Sequence, residues 1–195
     1  RNKKNDFLKI FITGAGSGIG KLSAIALVRR GYEVFAGVKF EEEKEFFEKI
    51  IIQKQLKIHV FICNILNEND RKMISELGVD ILVCNAAIGD SGSIAEISVY
   101  CATKSALDCF GICLRQEMKL LNKLDKTNIE VCLVEPGAYA TGFNAQNNAK
   151  KYEWMYTHSY FAKYAEKIRA FEKKMWSFLE QKKLDSAVKL YVKAV

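Results

Sequence analysis

Apolar positions along this chain follow two alternating spacings. Four short, mainly apolar runs, FLKIFITG, YEVFAGV, KIHVFICNI and VDILVCNAA, read as buried strands. Between them, apolar residues recur three or four apart in GKLSAIALVRRG, EEEKEFFEKIIIQKQ and NENDRKMISELG, and this spacing predicts helices. Gly31 is placed to end the first helix. The acids opening the second suit the positive end of a helix dipole. Asn67 or Asn69 can cap the third. A long helix over VYCATKSALDCFGICLRQEMKLLNK and a further strand in IEVCLVEPG follow. Strands alternating with helices predict a parallel sheet with helices on both faces, a doubly wound, Rossmann-like α/β fold. Beyond Asn144 the pattern changes. Phe161, Tyr164, Ile168, Phe171, Met175 and Phe178 recur at helical spacing, which predicts an amphipathic helix from Tyr160 to Leu179 within a helical region spanning 145–185. No repeat or Gly/Ser/Pro-rich linker interrupts the chain, so one domain over 1–195 is expected.

Composition narrows the class. Of 195 residues, 49% are hydrophobic, which excludes a disordered chain. No apolar run is long enough to span a bilayer and no signal peptide is visible, although the chain opens at Arg1 without a methionine. The net charge of +7 raises the question of nucleic acid. Residues 7–145 are balanced, with 16 basic and 17 acidic side chains, and the excess falls at the basic N-terminal end and in 146–195. There it is interleaved along amphipathic segments as on a solvated helix face, with no recognised binding motif, so neither nucleic acid nor membrane is expected as a partner. Cys63, Cys84, Cys101, Cys109, Cys113 and Cys132 form no CxxC pair and fall in apolar runs, the pattern of buried, reduced thiols in a cytoplasmic protein. His59 and His158 have no partner at metal-ligand spacing, so no metal is expected.

Four short stretches carry chemistry. The first strand runs into TGAGSGIG, Thr13 to Gly20, and then a helix. Backbone N–H groups at a helix start, with glycines allowing close approach, suit a pyrophosphate. The spacing of Gly14, Gly18 and Gly20 is GxxxGxG; the wider GxGxxG pattern fails because Ile19 sits at its third glycine. The alternative is an ordinary tight turn. NAAIG, Asn85 to Gly89, closes the fourth strand at the carboxyl end of the sheet, where ligands collect. There Asn85 can tie strands together, and Ala86 and Ala87 leave room. Tyr100 and Lys104 stand four apart, hence on one helix face. The lysine's charge would lower the pKa of a phenol that ordinarily titrates near 10. A surface Tyr/Lys pair is the ordinary alternative. PGAYATG, Pro136 to Gly142, breaks the last strand, and Thr141 can hydrogen-bond a carboxamide or phosphate.

In this order, at strand ends and helix starts, these motifs resemble the short-chain dehydrogenase/reductase family from about Ile10 to Thr141. The resemblance implies hydride transfer between a nicotinamide cofactor and an alcohol or carbonyl. It implies that Gly14, Ser17, Gly18, Ile19, Gly20, Asn85 and Ala86 bind the cofactor, with Asn64 and Ile65 near its adenine. Asn64 replaces the acid the family often has there. Tyr100 would be the acid/base, Lys104 would hold the nicotinamide ribose and depress the tyrosine pKa, and Pro136, Gly137 and Thr141 would flank the nicotinamide. NAD sites usually carry an acid at the end of the second strand. Here Gly37 takes that position and Lys39 follows, which favours NADP(H) over NAD(H). An apolar small-molecule substrate and a homodimer or homotetramer paired through the tyrosine helix are further implications.

The resemblance has one gap. The family's site needs a serine about a dozen residues before the tyrosine, on a fifth strand, and a helical asparagine. Neither can be placed. Ser98 is two residues before Tyr100, and Ser91 and Ser93 directly follow the fourth strand. A parallel crossover takes about a dozen residues or more, and GDSGSIAEIS offers ten. Either a segment is omitted near 97–98, which would show as a broken backbone between Glu96 and Tyr100 and an apolar sheet edge, or the fold is shortened. Omission is favoured. LDSAVKLYVKAV resembles the family's last helix, with its final strand expected beyond Val195. The runner-up function is a non-catalytic dinucleotide-binding or regulatory protein on the same fold.

Overall fold

The computed structural model describes residues 8–88 and 94–195, with only the backbone for 94–99. Gly89, Ser91, Ser93, the basic N-terminal end and the Ser98 side chain lie outside the described residues. The chain divides into two compact units, residues 1–88 with 184–193 and 195, and residues 89–183 with 194.

In the first unit the expected alternation is present: β1 (Lys9–Ile12), α1 (Gly18–Val28), β2 (Glu33–Val38), α2 (Glu41–Lys54), β3 (Ile58–Ile62), α3 (Glu68–Glu76) and β4 (Ile81–Val83). The four strands form one parallel sheet in the order β3-β2-β1-β4. Strand residues point alternately to opposite faces, and the register sorts them accordingly. Ile10, Ile12, Val34, Ala36 and Val38 face a core shared with Ala24 and Leu27 of α1 and Phe47 of α2. The C-terminal helix α7 (Asp185–Ala194) adds Val192 to this core. The other face carries the cross-strand row His59, Phe35, Phe11, Leu82. Phe11 and Phe35 pack there with Cys63 and Ile74, but Leu82 is 51% exposed. Gly31, at φ 93°, follows α1, and its N–H bonds the Val28 carbonyl. Of the two candidate caps, Asn67 is the one used; its Oδ1 accepts from the Asn69 N–H at 2.8 Å.

The second unit is helical. The long helix α4 (Ile94–Leu124) is followed by α5 (Phe143–His158), a 3-10 turn (Ala162–Tyr164) and α6 (Ala165–Leu179). Two expectations change here. The α4 backbone runs unbroken through Glu96 and Tyr100. The segment 129–135 carries no strand assignment. Its backbone is held by α4 side chains: Arg115 Nε donates to the Val131 carbonyl at 2.8 Å, and Asn122 both donates to the Ile129 carbonyl and accepts from its N–H at 2.9 Å. A strand exists only as a member of a hydrogen-bonded pair of strands, and here the described backbone bonds of the segment go to α4 side chains instead. Helix α5 lies almost wholly within the helical span expected over 145–185, although no apolar stripe marks it. Its buried positions are Lys151, Tyr152 and Met155, and the lysine hides the apolar stripe.

The thiols also differ from expectation. All six cysteines are free, but only Cys63 is buried. Cys101, Cys109 and Cys113 lie on α4, and Cys132 on the unpaired segment, where apolar neighbours such as Phe110 are themselves exposed. Among the described residues, no helix is long and apolar enough to cross a membrane, and no cluster of His, Cys, Asp and Glu could hold a metal ion.

Candidate functional site

The glycine turn between β1 and α1 is shaped by steric need. Gly14 has φ 64°, and a Cβ there would lie 2.7 Å from the Ala86 Cα. Gly18 has φ 53° and begins α1. A Cβ on Gly20 would lie 2.5 Å from both Asn85 Nδ2 and the Gly14 carbonyl. Ser17, at the N-cap, is extended and makes no side-chain cap bond, so its hydroxyl leaves the first-turn N–H groups of α1 uncapped. Uncapped N–H groups at the positive end of a helix, beside a turn where side chains cannot fit, form a cradle for a pyrophosphate.

A polar network fixes this turn. Asn85 Nδ2 donates to the Thr13 and Gly14 carbonyls at 3.1 and 3.0 Å. Thr13 Oγ1 accepts from the N–H groups of Asn85 and Ala86, both at 3.0 Å. The Tyr191 hydroxyl, from α7, donates to Asn85 Oδ1 at 2.9 Å, and burial pushes that phenol's pKa up. Tyr191 carries no motif. Its role exists only because the last helix returns to the first unit.

The end of β2 lacks an acid for a packing reason. Gly37 is buried, and a Cβ there would lie 2.9 Å from the Phe11 ring. The Gly37 carbonyl accepts from the Ala15 N–H at 2.8 Å, tying β2 to the glycine turn. Lys39 is exposed, its Nζ 5.1 Å from the Phe40 ring centroid. Asn64 is engaged locally. Its N–H donates to Asp70 Oδ2 at 2.7 Å, and its Oδ1 accepts from the Leu66 N–H at 3.1 Å. The Ile65 carbonyl accepts from Arg71 Nη1 at 2.9 Å.

The remaining candidates lie in the second unit. Tyr100 and Lys104 share a face of α4, with Lys104 Nζ 5.6 Å from the Tyr100 ring centroid and the Phe143 ring 6.5 Å away. Burial, with the Cys101 thiol adding to it, pushes the Tyr100 pKa up in this structure, the direction opposite to the one a lysine imposes. The phenol therefore holds its proton at neutral pH, the form a proton donor needs. Pro136 and Gly137 are exposed, and nothing lies near a Cβ built on Gly137. Thr141 Oγ1 accepts from the Phe143 N–H at 3.4 Å as α5 begins.

A parallel sheet with a glycine-rich turn at the carboxyl end of its first strand is the architecture of the doubly wound class. Residues 9–99 match the sequence model of the short chain dehydrogenase family. A solved structure agrees on the fold. A short-chain dehydrogenase from Streptomyces avermitilis is 20% identical, with a TM-score of 0.58, over 71% of this chain and 68% of its own. A hydroxysteroid dehydrogenase from Escherichia coli is 33% identical over 44% of this chain and 38% of its own, with a TM-score of 0.38. An actinorhodin polyketide ketoreductase variant solved with NADPH is 27% identical over 48% of this chain, with a TM-score of 0.42, and this chain spans 38% of its length. No curated protein matches the chain.

Proposed function

We propose that this chain is a nicotinamide-dependent oxidoreductase that moves a hydride between NADP(H) and the carbonyl or alcohol carbon of a small apolar substrate. The observation that carries this reading is the pairing of motifs within one chain: a built pyrophosphate turn, locked by Asn85, and a Tyr100–Lys104 pair on one helix face. The cofactor, when bound, supplies or takes the hydride. Gly14, Gly18, Ile19 and Gly20 would hold its pyrophosphate. In the reducing direction the Tyr100 hydroxyl gives its proton to the carbonyl oxygen, and Lys104 stabilises the phenolate left behind. In the oxidising direction the phenolate takes the proton back. Helices α5 and α6 would cover the substrate as a lid. Lys39, with no acid at Gly37, supports NADP(H) over NAD(H). A cytoplasmic enzyme of one catalytic domain, paired through the exposed apolar side of α4, completes the proposal, with the serine carried on a segment that belongs between β4 and Tyr100.

The test is to titrate the chain with NADPH and NADH and then to follow nicotinamide absorbance with a panel of apolar ketones. Binding of either dinucleotide with reduction of a ketone supports the reading, and Tyr100→Phe should lower turnover by about 10²- to 10⁴-fold with little change in dinucleotide affinity. Undiminished turnover in that variant removes Tyr100 as the donor. A second reading, dinucleotide binding without catalysis, is favoured by the short span between β4 and α4, which leaves no strand for the serine. Dinucleotide binding without turnover on any carbonyl would select it.

A further inference from the structure

A groove of about 340 Å³ runs between α5 and α6, at the lower end of the range of roughly 300–1,000 Å³ that small-molecule sites occupy. None of Tyr100, Lys104, Pro136, Gly137 and Thr141 lines it. On α5, Ala145 and Ala149 stand one turn apart and open its wall, and the buried Tyr152 lies one turn further on. On α6, Arg169, Lys173 and Trp176 recur three or four apart and share the face that lines the groove. The acids here are already committed. Glu172 pairs with Lys151, and its Oε2 accepts from the Tyr152 hydroxyl at 2.6 Å. Glu180 Oε1 accepts from Asn144 Nδ2 at 2.8 Å, and Glu166, three before Arg169, accepts from the Tyr156 hydroxyl. The cations are not. Neither Arg169 nor Lys173 belongs to an ion pair among the described residues. The positions three and four away from Lys173 are Arg169, Ala170, Trp176 and Ser177, so its own helix offers it no acid. Arg169 and Lys173 are like charges one turn apart, and they repel. The Arg169 guanidinium lies over the Tyr152 ring, its carbon 5.7 Å from the centroid. A guanidinium has more N–H donors than its bond to Tyr156 uses.

We propose that this groove binds a small planar aromatic carboxylate, its ring between Trp176 and the alanine wall of α5 and its carboxylate bridging Arg169 and Lys173. The indole offers a face for the ring to stack on, and the two alanines leave the space for it. Charge-assisted bonds from the guanidinium and the ammonium hold the carboxylate, and its negative charge removes the repulsion between the two cations. An amine in the same place would meet both cations and find the neighbouring acids taken. The occupant touches both helices, so it ties α5 to α6 and stabilises the helical unit as its concentration rises. The site goes beyond the dinucleotide reading and does not depend on it.

The experiment is calorimetry on the full chain with 2-naphthoate and with its uncharged counterpart, 2-naphthamide. The carboxylate should bind roughly tenfold tighter than the amide. Arg169→Gln and Lys173→Gln should each weaken 2-naphthoate by roughly three- to tenfold and leave 2-naphthamide unchanged. Ala149→Leu fills the groove from an exposed position on α5 and should remove binding of both. In a Trp154→Phe background Trp176 is the only indole, and its fluorescence should change saturably with 2-naphthoate. Lys173 is exposed, so its replacement keeps the charge test available if Arg169→Gln does not fold. The inference is overturned if 2-naphthoate does not bind, binds no better than the amide, or binds the Ala149→Leu chain as well as the unaltered one. The measurement needs neither dinucleotide nor turnover, so a chain that binds 2-naphthoate but no dinucleotide overturns the proposed function and leaves this site standing.

Discussion

The two units of this chain use the same kinds of residue to different effect. In the sheet unit, Ile10, Phe11, Ile12, Val34, Ala36 and Val38 are almost wholly buried, and the edge strands leave apolar side chains such as Leu82 exposed. In the helical unit, Leu107 is 57%, Phe110 64% and Phe178 90% exposed, while its small core is built from Tyr152, Met155 and Ala165. Burying apolar surface is the main favourable term in folding. The sheet unit is stabilised by a two-sided core. The helical unit relies more on polar contacts: Lys151 is buried and paired with Glu172, whose Oε2 also accepts from the Tyr152 hydroxyl at 2.6 Å.

This contrast can be broken from either side. The largest stability effect should come from Glu172→Ala, which leaves the Lys151 ammonium buried without its carboxylate and the Tyr152 hydroxyl without its acceptor. A loss of about 3–5 kcal/mol is expected, confined to 94–183 when unfolding is followed by hydrogen exchange. Equal loss of protection in the sheet would mean that the two units unfold together. Next, Asn85→Ala removes two donated bonds and leaves the Tyr191 hydroxyl unpaired, for roughly 1–3 kcal/mol in the sheet unit. Dinucleotide affinity should fall with it, and the helical unit should be unmoved. The smallest effect is one of pH. Burial first, and then the bond to Glu172, raise the Tyr152 pKa in the folded chain. Below about pH 10 the phenol is protonated in both states and the stability it confers is fully present. As pH rises beyond that, the unfolded chain ionises first and stability falls, by at most about 1.4 kcal/mol per pH unit. Tyr152→Phe should flatten this slope in alkaline unfolding curves; an unchanged slope would assign it to other groups.

How far the sequence reveals the molecule follows the same division. Strands β1 to β3 are legible because a parallel sheet buries both faces, so its strands read as apolar runs, and the glycine turn is legible because backbone geometry demands those residues. The run at 129–135 reads equally well as a strand, yet a strand is a relation to a neighbour, and the run itself does not contain the neighbour. Lys151 looks like part of a solvated basic face because nothing local announces that Glu172, far along the chain, will pair with it. Tyr191 is missed for the same reason. Asn85, by contrast, is legible because its motif and its partners Thr13 and Gly14 belong to one recognisable pattern.

The contact between Gly37 and Phe11 limits how this chain could be re-engineered. Installing an acid at the end of β2 is the obvious way to turn a dinucleotide site toward NAD(H), but here the new Cβ meets the ring of a fully buried phenylalanine on the adjacent strand. Gly37→Asp would thus register as a folding defect before it could register as a change of cofactor. Its effect would depend on a second change, such as Phe11→Leu, that makes room. The two positions are epistatic through volume alone, so a route to altered selectivity in this chain runs through residues after the strand, where side chains can change without disturbing the core.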